Sequence, residues 1–101
     1  MPAKPRWLTG KPMSDLQTRK ARLKFRAWHR GTREADYMIG GFFDRYHAQW
    51  GEVEVAWYER LVEEDDVDVM AWALGTQPVP QAYAGAMFTA MQKLDYVEIL
   101  R

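Results

Sequence analysis

The stretch Trp28-His29-Arg30-Gly31-Thr32-Arg33-Glu34-Ala35 divides a basic amphipathic segment from an acidic, aromatic one, and the fold follows from how it is read. Gly31 reads as a helix punctuator. Lacking a Cβ, glycine takes left-handed backbone angles at no steric cost, so it closes one helix and lets the next leave in a new direction. Glu34 then falls in the first turn of the second helix, where unpaired backbone N–H groups and the helix dipole favour a carboxylate. Neither argument accounts for Arg30, a cation beside the bend with a carboxylate four positions on. A charged pair flanking bare backbone makes a docking surface, because glycine lets a partner approach closely.

Working outward, residues 1–13 hold three prolines and Gly10 without periodicity, which predicts a flexible N-terminal arm. Ser14-Asp15-Leu16-Gln17 fits a capping box with Ser14 as N-cap, opening a helix that runs to about His29. Leu16, Leu23 and Ala27 share one face of it, and Ala21, Phe25 and Trp28 form a second apolar strip beside them. Arg19, Arg22, Arg26 and Arg30 line the remaining side. Such a row is either a solvated face or a contact for a nucleic-acid backbone or an acidic protein surface.

Downstream, the second helix begins at Thr32 or Arg33 and keeps a broad apolar face through Ala35, Tyr37, Met38, Ile39, Phe42, Phe43, Tyr46 and Trp50, with Gly51 ending it. Gly40-Gly41 lies inside this pattern at a cost of about 1 kcal/mol per glycine relative to alanine, so close packing of backbones is the expected compensation. Glu52 to about Glu64 forms a third helix, Asp66 or Asp68 caps a fourth that Gly75 closes, and Gln81 to about Asp95 forms a fifth with Tyr83, Met87, Met91 and Leu94 at core spacing. The chain is therefore predicted to be all-α, with five helices in one helical domain over 14–95 and a C-terminal tail over 96–101.

Net charge is zero across 101 residues, but the average hides a division. Residues 1–30 carry nine Lys/Arg against Asp15 alone, and residues 31–101 carry five against thirteen Asp/Glu. The halves either meet a partner with a charge pattern of its own or neutralise each other on folding. There is no cysteine, which removes disulfides, thiolate metal sites and a cysteine nucleophile, and fits a reducing compartment. No apolar run reaches the roughly 18–20 residues that span a bilayer, and the basic start lacks the apolar core of a secretory signal, so the expected location is cytoplasmic, without membrane insertion. His29 and His47 stand outside any metal-ligand spacing, Ser14 is engaged as a cap, and no Gly-rich phosphate loop occurs. Glu63-Glu64-Asp65-Asp66 with Asp68 lacks the pattern of an EF-hand loop. No catalytic or metal residue is assigned, and a binding module is favoured over an enzyme.

The bend carries more information in its wider context. Arg22 through Asp36, then Phe42-Phe43, then Leu61-Val62-Glu63-Glu64-Asp65-Asp66-Val67-Asp68-Val69-Met70-Ala71-Trp72 together resemble the SdhE family, the bacterial counterparts of the mitochondrial succinate dehydrogenase assembly factor 2, or flavinator. Trp28-His29-Arg30-Gly31-Thr32-Arg33-Glu34 is similar to the alphaproteobacterial branch. The resemblance, which covers about residues 20–75, implies a small five-helix bundle. It further implies a non-catalytic assembly factor that binds the flavoprotein subunit of succinate dehydrogenase, and in some bacteria that of fumarate reductase. Such a factor promotes covalent attachment of FAD to a histidine of the client. FAD would be the client's cofactor, with none stably bound here. The family's functional surface falls on Arg30, Gly31 and Glu34, with Arg33 and Asp36 beside them, while Asp66, Asp68 and Trp72 match positions read as structural. Ala35 and Gly40-Gly41 depart from the family pattern and bear on local packing. The competing class is a small nucleic-acid-binding regulator acting through the basic first helix.

Overall fold

The computed structural model describes residues 12–97, with the side chains of 12–14 left aside; of the arm expected over 1–13, residues 1–11 lie outside the described residues and 12–13 are helical, and of the tail expected over 96–101 only Tyr96 and Val97 are described. Among the described residues there are five α-helices and no strand: α1 Pro12–Trp28, α2 Arg33–Tyr46, α3 Glu52–Leu61, α4 Asp66–Leu74 and α5 Ala86–Lys93. The predicted fold class holds. Helix α1 starts two residues before the predicted Ser14 cap, at a proline whose fixed φ suits the first helical turn.

α1 and α2 pack as an antiparallel hairpin about the bend. The Trp28 ring lies on Gly40, Lys24 pairs with Asp44 at 2.9 Å, and Lys20 Nζ donates to the His47 carbonyl at 2.6 Å. Each step back along α1 thus meets a later residue of α2. Leu23 and Ala27 are buried as predicted. The second apolar strip divides: Trp28 packs against the core, whereas Ala21 is exposed and Phe25 is 64% exposed, because α1 turns the Leu23–Ala27 stripe toward the bundle and leaves Phe25 stacked on His29 at its surface.

α2 continues through Gly40-Gly41 as expected, and the space is filled chiefly by rings: Trp28 covers Gly40, while the Tyr96 ring and its backbone carbonyl cover Gly41. The α-helix stops at Tyr46, short of the predicted Trp50, and a 3₁₀ turn over His47–Gln49 releases Trp50 into extended backbone. That change of direction carries the Trp50 ring back onto Phe42, Phe43 and Tyr58. Tyr58, fully buried, donates its hydroxyl to the Ile39 carbonyl at 2.6 Å and so fastens α3 to α2. Glu54 accepts the Gly51 N–H at 2.9 Å, half of a capping box at the start of α3.

α3 ends at Leu61, three residues before the predicted Glu64, in a tightened turn where Glu63 and Glu64 donate to the Arg60 and Leu61 carbonyls. Gly75 closes α4 at φ +82, as the sequence predicts, but the N-cap position falls on Asp65 rather than on Asp66 or Asp68: Asp66 is already the first helical residue, and the Asp65 side chain makes no capping hydrogen bond. α5 is shorter than expected. Residues 80–84 form a turn in which Tyr83 and Ala84 donate to the Pro80 carbonyl, and Gly85 at φ +148 breaks helical geometry before Ala86. Tyr83 is consequently free to sit between Trp57 and Trp72, its hydroxyl donated to Glu64 at 2.6 Å. Leu94 ends α5 in left-handed backbone, and the chain returns to bury Tyr96 and Val97.

His47 gives the bundle a pH dependence. Its ring stacks on Phe43 and its Nδ1 is buried without a hydrogen-bond partner; burial, aided by Lys20 and opposed by Asp44, holds its pKa below the ordinary 6.5. In the window between the folded and unfolded values the unfolded chain binds more protons, so stability is complete above about 6.5 and falls as pH drops through it. Thermal unfolding across that window is expected to show this slope in the wild type and to lose it in His47→Gln. Glu59, held low by its bond to Arg19, and Glu54, held low by the Gly51 N–H, act only beneath their ordinary 4.5 and so leave the window clear.

Candidate functional site

Four residues, 29–32, carry the chain from α1 to α2, and the geometry follows from Gly31 at φ +115. Thr32 is the N-cap of α2, its hydroxyl accepting the Ala35 N–H at 3.1 Å. Asp36 reaches back across the bend and accepts the Arg30 N–H at 2.6 Å. The bend is thus tied to the first turn of α2 from both sides, with Glu34 and Asp36 on the favourable end of the helix dipole.

Of the five residues the sequence singles out, Gly31, Arg33 and Glu34 are exposed together on this bend, and Asp36 is half-buried beneath them. Nothing lies within 4 Å of where a Cβ on Gly31 would stand, so its face is open. Arg30 differs. Its side chain is only 10% exposed and turns toward the α3–α4 junction, where it pairs with Asp66 at 2.8 Å.

Two hollows flank the bend. One, of about 620 Å³, is lined by Trp28, His29, Gly31, Thr32, Arg33, Asp36 and Tyr37. The Trp28 and Tyr37 rings meet edge to face at 5.6 Å. The other, on the opposite side of His29, lies between Phe25, Arg26, His29, Arg30 and residues 62–64. His29, which borders both, stacks on Phe25 at 3.9 Å and donates Nδ1–H to its carbonyl, so that an aromatic pair edges the second hollow. Sequence reasoning missed Trp28, Thr32 and Tyr37 as parts of this surface. Thr32 carried a signal, a hydroxyl directly before the helix, whereas Trp28 and Tyr37 read simply as core.

The arginine row is met from within the protein. Arg19 forks onto Glu59, with Nη2–Oε1 at 2.8 Å, and also pairs with Glu52, raising its pKa further; Arg26 pairs with Glu63 at 2.7 Å. Among the described residues, Arg19, Lys24, Arg26 and Arg30 of the basic segment are thus neutralised by carboxylates of the acidic remainder, and three of the four arginines in the α1 row and bend are engaged within the protein. Carboxylates of the acidic run are occupied likewise: Glu63 by Arg26, Glu64 by Tyr83, Asp66 by Arg30. No group of three side chains suited to a metal ion occurs among the described residues, and no helix there is long and apolar enough to cross a membrane.

A helical bundle that sets an open glycine bend, an exposed Arg–Glu pair and an aromatic-sided hollow on one end has the form of a protein-docking module. The model of the family described as "Flavinator of succinate dehydrogenase" matches residues 21–95, and the chain belongs to that family. The match runs through α5, beyond the stretch near residue 75 where the motifs end. The FAD assembly factor SdhE of Acetobacter pasteurianus is 36% identical over 83 residues, covering 82% of this chain and 76% of that protein. Succinate dehydrogenase assembly factor 2 of Drosophila virilis is 35% identical over 75 residues, and that of Scheffersomyces stipitis 30% over 93. The chain spans 48% and 62% of the length of those two mitochondrial relatives.

Proposed function

We propose that this protein is an assembly factor that docks on the flavoprotein subunit of succinate dehydrogenase and promotes covalent attachment of FAD to it. The observation that carries the reading is the membership of the family together with the placement of Gly31, Arg33 and Glu34 on one open face. Arg30 and Asp36 belong to the same site from beneath.

The bond to FAD forms within the client, between one of its histidines and the flavin, and this chain supplies no nucleophile. Its contribution is geometric. A rigid bundle seated against the client restricts the arrangement of client domains, and a reacting pair held at the right distance and angle gains rate from orientation alone. The exposed Arg33 and Glu34 offer one donor fork and one acceptor for client polar groups, and the aromatic hollow offers apolar area. FAD thus stays the client's cofactor, the flavoprotein subunit of fumarate reductase is a second client by the same surface, and the cytoplasm is the compartment where bacterial clients receive their flavin.

Co-expression of the client flavoprotein subunit with and without this protein, read by in-gel flavin fluorescence, tests the reading. Fluorescence is expected to require the protein and to fall when Arg33→Ala and Glu34→Ala are combined. Equal fluorescence in all three cultures would sink it.

A further inference from the structure

Arg30 stands at the bend, yet its guanidinium faces the protein. Nε donates to Asp66 Oδ1 at 2.8 Å, Nη2 lies 3.1 Å from the Val62 carbonyl and 3.3 Å from that of Glu64, and Nη1 lies 3.3 Å from that of Arg26. The planar fork is spread over the C-terminal turn of α3, where the helix dipole favours a cation, and over the first residue of α4. Turning outward would leave a carboxylate and these carbonyls without their donor. The Arg30 N–H is meanwhile held by Asp36. Main chain and side chain are both fixed one residue before the open Gly31.

We infer that Arg30 and Asp66 are a positioning pair. They register the α1–α2 bend against the α3–α4 junction, so that Gly31, Arg33 and Glu34 meet the client in one arrangement, and Arg30 acts through the bend without touching the client. The inference rests on the docking reading above. It also gives the two distant sequence signatures a common cause: the arginine of Arg30-Gly31-x-x-Glu34 is anchored by a carboxylate of Asp65-Asp66-x-Asp68, 36 positions away.

The test is a double-mutant cycle with Arg30→Gln, Asp66→Asn and the double variant, read as affinity for the purified client flavoprotein subunit at 25 °C, after circular dichroism shows each variant folded. Each single change is expected to weaken binding roughly tenfold and the double change no further, as for residues that act through one contact. Hydrogen exchange at the amides of residues 31–33 in the free protein is expected to rise in the same variants. Arg30→Lys, which keeps the charge but loses the fork, gives the same exchange measurement should Arg30→Gln unfold.

Additive losses, or a loss in Arg30→Gln with wild-type binding by Asp66→Asn, would put the guanidinium on the client and overturn the inference. Lowered Tm with unchanged affinity in both single variants would overturn it too. Gly31→Arg separates the two readings. Binding that is lost in Gly31→Arg but ignores the Arg30–Asp66 pair overturns only the inference, whereas binding indifferent to Gly31→Arg removes the docking reading itself.

Discussion

Gly31→Arg is expected to reduce client flavinylation to the level seen without the protein, while the bundle stays folded. Two effects are combined in this substitution, and the structure separates them. The first is backbone strain: φ is +115 at Gly31, and an L-residue held in such a sparsely populated region costs on the order of 1–3 kcal/mol. The second is bulk on the docking face. A Cβ at this position meets nothing within 4 Å, so no packing penalty inside the bundle adds to the strain. Gly31→Ala therefore carries the strain without the bulk. Both variants are expected to lose a similar amount of Tm, about 4–8 °C per kcal/mol for a domain of this size. Flavin fluorescence of the client should separate them, with partial activity for alanine and none for arginine. Equal activity of the two would mean that strain alone, and not access to the bend, governs the effect.

Gly40→Ala is the second large effect, and its sign runs against helix propensity. In an exposed helix the change would stabilise by about 1 kcal/mol. Here an added Cβ would lie 2.5–2.8 Å from three atoms of the Trp28 ring, closer than real contacts allow, and the ring is the joint between the ends of α1 and α2. Overpacking of a set core costs typically about 1–3 kcal/mol, so net destabilisation is expected in urea unfolding, with docking weakened because Trp28 also walls the hollow beside Gly31. Replacing Trp28 with Leu removes the ring, and the penalty of Gly40→Ala should shrink in that background. An unchanged penalty would place its cause elsewhere. Gly41→Ala makes the milder comparison, because its nearest neighbour, the Tyr96 ring, stands at 3.2 Å, a gap that a shift of a few tenths of an ångström relieves.

Much of this architecture is legible in the residues because glycine and aspartate mark its corners. Gly31, Gly51 and Gly75 each fall where the chain turns between helices, and the acidic run marks the start of α4 to within a residue, since these positions obey local rules of backbone conformation and helix polarity. The start of α5 was not legible. Gln81 to Ala84 carry a helical pattern, but Tyr83 is drawn between two tryptophans and Gly85 adopts a geometry that no periodicity reports. Phe25 misled for a related reason: an apolar strip one helical face wide does not say which side the neighbouring helix will take. The open bend itself was readable from Gly31. The inward turn of Arg30 was not, because all its acceptors but the Arg26 carbonyl lie at the α3–α4 junction, more than thirty positions along the chain, and side-chain spacing encodes only partners within a turn or two.

The pairing of Arg19, Lys24, Arg26 and Arg30 with carboxylates from later in the chain has a consequence for the speed of encounter. Charges of one sign accelerate association when their fields add over a surface, toward 10⁸–10⁹ per molar per second at low salt. These four cations add little to such a sum, because each has its counter-charge at hydrogen-bond distance and its field closes within the molecule. The paired face of α1 therefore contributes little to steering, and what it lends to the encounter is shape and orientation. Selectivity resides in how slowly the seated pair comes apart, a lifetime set by short-range fit around Gly31.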